Sequence, residues 1–240
     1  MPTTARVAGA EVTRYIQSCF KIKTPAAMVW LDPFRVSPDH VGGDKADLVL
    51  VTHPHQDHLD IKAITACSKE GTTIVASPAA ARKLAQTGIA SVALWEGEST
   101  TVAGIEVTAV PGYNGLHPRT NQFNVGFRFK LGNSIFYTSG DTDAVPELAE
   151  IGPVDVAFLP IGGTFVMDET EAARAVAMIE PSTVVPTHYG FVTKGDPQYL
   201  KQLVTGKTEV LALETVLKAQ MPALVRFLAK LAGSRRKRWQ

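Results

Sequence analysis

The residues with the most chemical potential lie in one short run, Thr52-His53-Pro54-His55-Gln56-Asp57-His58-Leu59-Asp60. Within it, His53, His55, Asp57 and His58 place three imidazoles and a carboxylate inside six residues. The chain holds six histidines in all, so half of them are concentrated at this point, which a solvated polar loop does not explain. Imidazole and carboxylate are ligands for Zn²⁺ and other first-row ions. In extended chain the side chains alternate, so His53 and His55 project to one side. Asp57 and His58 fall where the chain turns toward the next element and face a neighbouring point. The spacing predicts a metal site.

Such a cluster needs rigid elements around it. Residues 47–52 form a short apolar run, rich in Val and Leu, that leads straight into the histidines; residues 28–31 form a similar run ending at Asp32-Pro33. Both read as buried strands. Residues 59–70 read as helix, 72–76 as strand, and 78–86 as an Ala-rich helix with Pro78 in its first turn. Strand-like runs follow at 91–95, 100–102 and 105–110, with Gly104 turning the chain. Residues 123–131 and 134–138 form a hairpin about Gly132-Asn133. Residues 154–159 read as another strand. Asp168 with Glu171 three residues on opens a helix as a capping box. Strands at 183–186 and 209–213 follow. Residues 213–231 have helical spacing, interrupted by Pro222. Leu217, Met221, Val225, Leu228 and Leu231 form its apolar stripe, and a basic tail follows at 235–238. Strands separated by helices, plus hairpins, predict a mixed α/β architecture with more than one sheet.

Composition narrows the function classes. At 240 residues with 45% hydrophobic and 20% charged residues, the chain can bury a substantial core. A formal charge of +1 argues against nucleic-acid binding through the overall field. No apolar h-region follows Met1-Pro2-Thr3-Thr4-Ala5-Arg6, and the apolar runs are strand-sized, so neither a signal peptide nor a membrane span is expected. Cys19 and Cys67 form no CxxC pair and read as small buried hydrophobes, consistent with a reducing, cytoplasmic setting.

The run from His53 to His58 matches the HxHxDH signature of the metallo-β-lactamase superfamily, and the chain resembles that superfamily well beyond it. Ser18-Cys19-Phe20-Lys21-Ile22 and Leu31-Asp32-Pro33-Phe34 resemble its opening strands. Ser139-Gly140-Asp141-Thr142 resembles the element that supplies a metal-bridging aspartate, and Pro186-Thr187-His188-Tyr189 the element bearing a late histidine ligand. Leu159-Pro160-Ile161-Gly162-Gly163-Thr164 fits the loop between them. The motifs occur in the expected order over about residues 7–213, and the likeness is to the small hydrolases without added domains.

The resemblance implies a four-layer αββα sandwich with metals at one edge between two sheets. It implies one domain over residues 1–240: a core at about 7–213, then the C-terminal helix and basic tail. Carried over residue by residue, His53 and His55 bind a first ion, and Asp57, His58 and His188 a second. Asp141 bridges the two. The implied cofactors are two divalent ions, Zn²⁺ foremost, with Mn²⁺ or Fe as alternatives. Two such ions bind a bridging water and lower its pKa from ~15.7 toward about 7, giving a hydroxide nucleophile. They also polarise the substrate oxygen. Asp57 is the candidate catalytic residue, orienting the hydroxide or taking its proton. Asp32 either orients a ligand histidine through a hydrogen bond or simply ends its strand before Pro33.

The expected activity is hydrolysis of a small ester, lactone, amide or phosphodiester. A nuclease or RNA-processing enzyme of the same fold and a non-catalytic metal-binding module are the alternatives. Nucleases of this superfamily usually carry a further clamping domain, for which this length leaves no room, so the expected partner is a small molecule. The sequence assigns no oligomeric state.

One departure from the family pattern stands out. Many members carry a further first-ion histidine after a strand like residues 107–110, where this chain has Tyr113 and Asn114, with His117 a little later. His117 is therefore expected to supply the third nitrogen, with Gly112 and Gly115 letting the loop turn and Pro118 favouring an extended His117. Tyr113, Asn114, Arg119 and Tyr189, with Lys194 behind them, are candidate substrate contacts because they lie near ligand motifs. Gly162-Gly163-Thr164 could cradle an anion with backbone N–H groups, but lacks the lysine of a P-loop.

Overall fold

The computed structural model describes residues 1–218. The first half contributes strands β1 (Thr4–Val7), β2 (Ala10–Ile16), β3 (Cys19–Lys23), β4 (Met28–Leu31), β5 (Leu48–Val51), β6 (Thr73–Ala76) and β7 (Val92–Ala93). Its helices are α1 (Pro38–Val41), α2 (Ile61–Cys67) and α3 (Pro78–Ala85). The second half contributes β8 (Ser99–Val102), β9 (Ile105–Val110), β10 (Gly126–Leu131), β11 (Ser134–Thr138), β12 (Val156–Pro160), β13 (Thr183–Thr187) and β14 (Glu209–Val210). The longer helices of that half are α4 (Glu169–Ile179) and α5 (Pro197–Leu203).

Each half forms one sheet whose strands lie side by side in chain order. The wiring is the same in both. β1 to β4 and β8 to β11 pair antiparallel, while β4 to β7 and β11 to β14 pair parallel. Parallel pairing needs a crossover, and helices supply most of those connections. The loops that leave the parallel strands therefore open at a common end of each sheet.

Alternation explains the layering. Val29, Leu31, Leu48 and Leu50 join residues of the second sheet, Val107, Phe127, Phe129, Phe136 and Phe158, in one core. Trp30, Val49 and Val51 face the other way, onto Ala63, Ile64, Cys67 and Leu84 of α2 and α3. A matching layer covers the second sheet, where Ala157, Leu159 and Val184 pack on Ala172, Ala175, Val176 and Leu200 of α4 and α5. Successive residues of β4 and β5 thus feed two different cores, which is why those strands read as unbroken apolar runs. Phe20 and Phe158 meet edge to face across the sheets, ring centroids 5.0 Å apart. The result is the expected αββα sandwich.

Several boundaries differ from the sequence reading. α2 is shorter than residues 59–70, because Asp60 caps it by accepting from the backbone N–H groups of Lys62 and Ala63. The hairpin strand expected from residue 123 starts at Gly126, and Phe123 is left outside it. β1 and β2 carry no clear strand pattern in the sequence, since buried Thr13 and Arg14 interrupt the apolar signal of β2. The helix expected from residue 213 is not present up to 218. Instead the backbone N–H groups of Val216 and Leu217 donate to the carbonyls of Arg14 and Tyr15. The rest of that helix, its apolar stripe from Met221 on, and the basic tail lie outside the described residues. Cys19 and Cys67 are both buried and unbridged, and burial pushes both thiols up. Among the described residues no helix is long and apolar enough to cross a membrane.

Candidate metal centre

The site grows from loops that leave one end of the sandwich. β4 ends one residue before Asp32, β5 two before His53, β11 three before Asp141, and β13 directly before His188. β9 delivers the loop that carries His117. Ligands gathering beyond the carboxyl ends of parallel strands is the general pattern for open α/β sheets.

The described residues form two groups of possible metal ligands: His53, His55, His117 and Asp141, and Asp57, His58 and His188. In each, one donor atom per residue lies within 4.8 Å of all the others. In the first, His117 Nε2 lies 3.1 Å from His55 Nδ1 and His53 Nε2 lies 3.7 Å from Asp141 Oδ2. In the second, His188 Nε2 lies 3.3 Å and His58 Nε2 3.8 Å from Asp57 Oδ2. Asp141 joins them, with Oδ1 3.3 Å from His58 Nε2 and Oδ2 3.4 Å from His188 Nε2.

Hydrogen bonds behind the rings fix which nitrogen faces the centre. Asp32, fully buried, accepts from the backbone N–H of Thr52 and from its hydroxyl, both at 2.8 Å, and from His58 Nδ1 at 2.7 Å. With its proton given to Asp32, the Thr52 hydroxyl accepts from His53 Nδ1 at 3.1 Å. Both rings are thereby held through Nδ1, and their Nε2 atoms turn inward. The Nε2 atoms of His53 and His58 and Oδ1 of Asp141 are buried without hydrogen-bond partners. Orphaned buried polar atoms are rare in folded proteins and call for a ligand. Here they converge on one place.

The electrostatics are those of an ion site. Burial, then the neighbouring imidazoles, hold His53 well below its ordinary pKa, and burial lowers His117 to about 4. Burial also opposes charge on His58, but Asp141, Asp32 and Asp57 outweigh it and raise that ring to about 10. Burial likewise resists ionisation of Asp57, yet the field of His58 and the bond from His188 hold its carboxyl well below the usual range.

The comparisons with known proteins follow the same line. The model of the β-lactamase superfamily domain matches residues 11–188, from within β2 to the last candidate ligand, His188. The chain belongs to the metallo-β-lactamase superfamily. Within it the chain falls among the UPF0173 metal-dependent hydrolases: the member from Thermococcus kodakarensis is 36% identical over 78% of this chain and 88% of its own length. Among solved structures, a Parabacteroides distasonis protein matches with TM-score 0.77 and 26% identity, over 90% of this chain and 99% of that one. Igni18, a metallo hydrolase from Ignicoccus hospitalis, matches with TM-score 0.75 and 25% identity, over 85% of this chain and 95% of that one.

In this member of the superfamily, the loop carrying His117 is built differently from the expectation. Asn114 turns the chain, its Oδ1 accepting from the backbone N–H groups of Leu116 and His117 at 2.8 and 2.9 Å. Gly115 has open space around it, so no glycine is needed there. Gly112 is needed for close approach: a Cβ would lie 2.8–2.9 Å from Asn124, Gly126 and Ser139. Both polar atoms of the Asn114 side chain are thus spent within the protein, its Nδ2 donating to the carbonyls of Asp141 and Phe165. Tyr189 is turned inward likewise. It is buried, its hydroxyl donates to the Leu213 carbonyl, and the Arg14 guanidinium covers its ring. Tyr113 and Arg119 both bond Glu147, and Arg119 also grips Glu96. Lys194 is exposed. The anion cradle at Gly162-Gly163 is occupied by the protein itself. Gly163 N–H donates to the Met167 carbonyl, and a Cβ on Gly162 would lie 2.2 Å from the Thr193 hydroxyl oxygen, which bonds the His188 carbonyl.

Four residues near the site escaped the sequence reading. Phe123 packs beside the His53, His55 and His117 rings. Asn124 accepts from the Asp141 N–H and donates to the Gly112 and Ser139 carbonyls, tying two ligand loops together. Arg14 donates to the Leu213 and Tyr189 carbonyls. Gln17 donates to Asp57. A lone Asn, Gln or Arg carries no sequence pattern that marks it as buried.

Proposed function

We propose that this chain is a binuclear metal-dependent hydrolase, with His53, His55 and His117 on a first ion, Asp57, His58 and His188 on a second, and Asp141 between them. The observation that supports it best is the spacing of the donor atoms. Two ligands at 2.0–2.1 Å from a tetrahedral zinc lie about 3.3 Å apart. The nearest donor pairs lie at 3.1–3.8 Å, close to the edges of such a tetrahedron. Three nitrogens on the first ion, two nitrogens and a carboxylate on the second, and a shared carboxylate suit Zn²⁺, with Mn²⁺ or Fe as other occupants.

Ions held by these residues would supply Lewis acidity, making a bound water a stronger nucleophile at neutral pH and polarising the bond to be cleaved. The protein's own residues do the rest. Asp32 and Thr52 hold the His58 and His53 rings so that their lone pairs face inward. Asp57, the most solvent-exposed of its group at 27% of its side chain, is held ionised by its imidazole neighbours. It is thus suited to orienting an attacking water rather than storing its proton. Phe123 closes one side of the first group with an apolar ring. The substrates in keeping with this chemistry are small esters, lactones, amides or phosphodiesters, in a cytoplasmic setting. The test is a panel of those classes with metal-loaded and chelator-stripped protein. Turnover that needs metal and returns with Zn²⁺ supports the reading; no metal-dependent turnover of any class contradicts it.

A further inference from the structure

Gln17 lies in the turn between β2 and β3, far in sequence from every candidate ligand. The register of β2 against β3 shifts between Arg14 and Ile16, and Gln17 itself takes φ of 49°. Bulges of this kind re-aim the chain and recur beside active sites. Here the turn brings Gln17, which has no exposed surface, against two members of the second group at once. Its Nε2 donates to Asp57 Oδ2 at 3.4 Å, the same oxygen that His188 Nε2 approaches at 3.3 Å. Its backbone carbonyl accepts from the His188 N–H at 3.3 Å. The amide's other atom, Oε1, is buried with no hydrogen-bond partner.

Each fact is explained by the site and not by the packing. An apolar side chain of this size would fill the same space without a buried unmet acceptor, which is a cost to folding. An amide that donates to one carboxylate oxygen restricts how that carboxylate turns, and it cannot compete as an acidic ligand. We propose that Gln17 is a positioning residue that sets the affinity of the second ion, by fixing Asp57 through its side chain and His188 through its backbone. The inference rests on the two-ion reading above. It extends that reading to a residue outside every ligand motif.

The test titrates Co²⁺ alone into metal-free protein, wild type and Gln17→Leu, with Gln17→Met as a second variant. The visible absorption of each bound ion and the thermal midpoint of the metal-free protein are followed together. Removing a hydrogen bond to a metal ligand commonly costs 10–100-fold in affinity. The expected result is a second-ion affinity lower by about that factor, with an altered second-ion spectrum. The first ion binds as before, and the metal-free midpoint is unchanged or raised. A purely structural Gln17 gives the opposite pattern, a lowered midpoint with both ions weakened, and overturns the inference. So does an unchanged second affinity in both variants. Wild-type protein that takes up a single Co²⁺ overturns the two-ion reading itself, and this inference with it.

Discussion

Replacing His117 with alanine isolates the candidate ligand that lies outside the HxHxDH run and both later motifs. His117 is one of four residues in the first group, its Nε2 3.1 Å from His55 Nδ1. Four-ligand structural zinc sites bind with about 10–16 kcal/mol, so one ligand in four corresponds to roughly 2.5–4 kcal/mol. At about 1.4 kcal/mol per decade, the first-ion affinity of His117→Ala should fall by about 10²–10³-fold. The second group shares only Asp141 with the first, so its affinity should change far less. Chelator competition with Zn²⁺ resolves the two steps. Because the ring is buried and stacks on Phe123 at 5.4 Å, the metal-free variant is also melted, to separate a lost ligand from a lost fold. Tight binding of both ions with unchanged affinity, in a folded variant, would refute the ligand role of His117 and the tetrahedral spacing argument with it.

Asp32→Asn keeps the shape of the side chain but removes the charge that holds His58 and Thr52; second-ion affinity should drop by about 10–100-fold, and an unchanged value in the same titration counts against the orienting role. Gly140→Ala would place a Cβ 2.2 Å from Asn124 Oδ1 at φ of +59°. Left-handed strain and overpacking together should cost about 2–5 kcal/mol, read from urea denaturation, and a cost below about 0.5 kcal/mol would show that the Asp141 loop yields easily. Zinc uptake should release protons, because His58 is raised to about 10 in the metal-free protein and must give up its Nε2 proton to bind an ion. The proton belongs to the metal-free form, so apparent affinity should rise with pH up to that value. Calorimetry at neutral pH in buffers of different ionisation enthalpy checks it, and buffer-independent heats would exclude the exchange.

The sequence made the centre of the site legible, and little of what supports it. The cluster from His53 to His58 was readable because an apolar strand with two buried faces leads directly into it. The sandwich followed from the resemblance and from strands whose alternate residues feed two cores. The supporting residues follow no such pattern. Gln17, Asn124 and Arg14 act through hydrogen bonds to distant loops, and their burial is decided by tertiary packing. Proximity in sequence says little about which way a side chain faces. Asn114 and Tyr189 adjoin ligand motifs, yet their polar atoms are turned inward to carbonyls and N–H groups. The glycines of the His117 loop invited an argument from flexibility, whereas Gly112 is demanded by close packing and the turn is made by Asn114.

The most direct test is a metal count. Protein purified without chelator, then stripped and reconstituted with Zn²⁺, is measured by elemental analysis beside Asp141→Ala, whose carboxylate stands between the two groups. Two-ion chemistry predicts about two ions per wild-type chain and fewer than about one in the variant. No transition metal in the wild-type protein, and none taken up on reconstitution, would contradict the account at its centre.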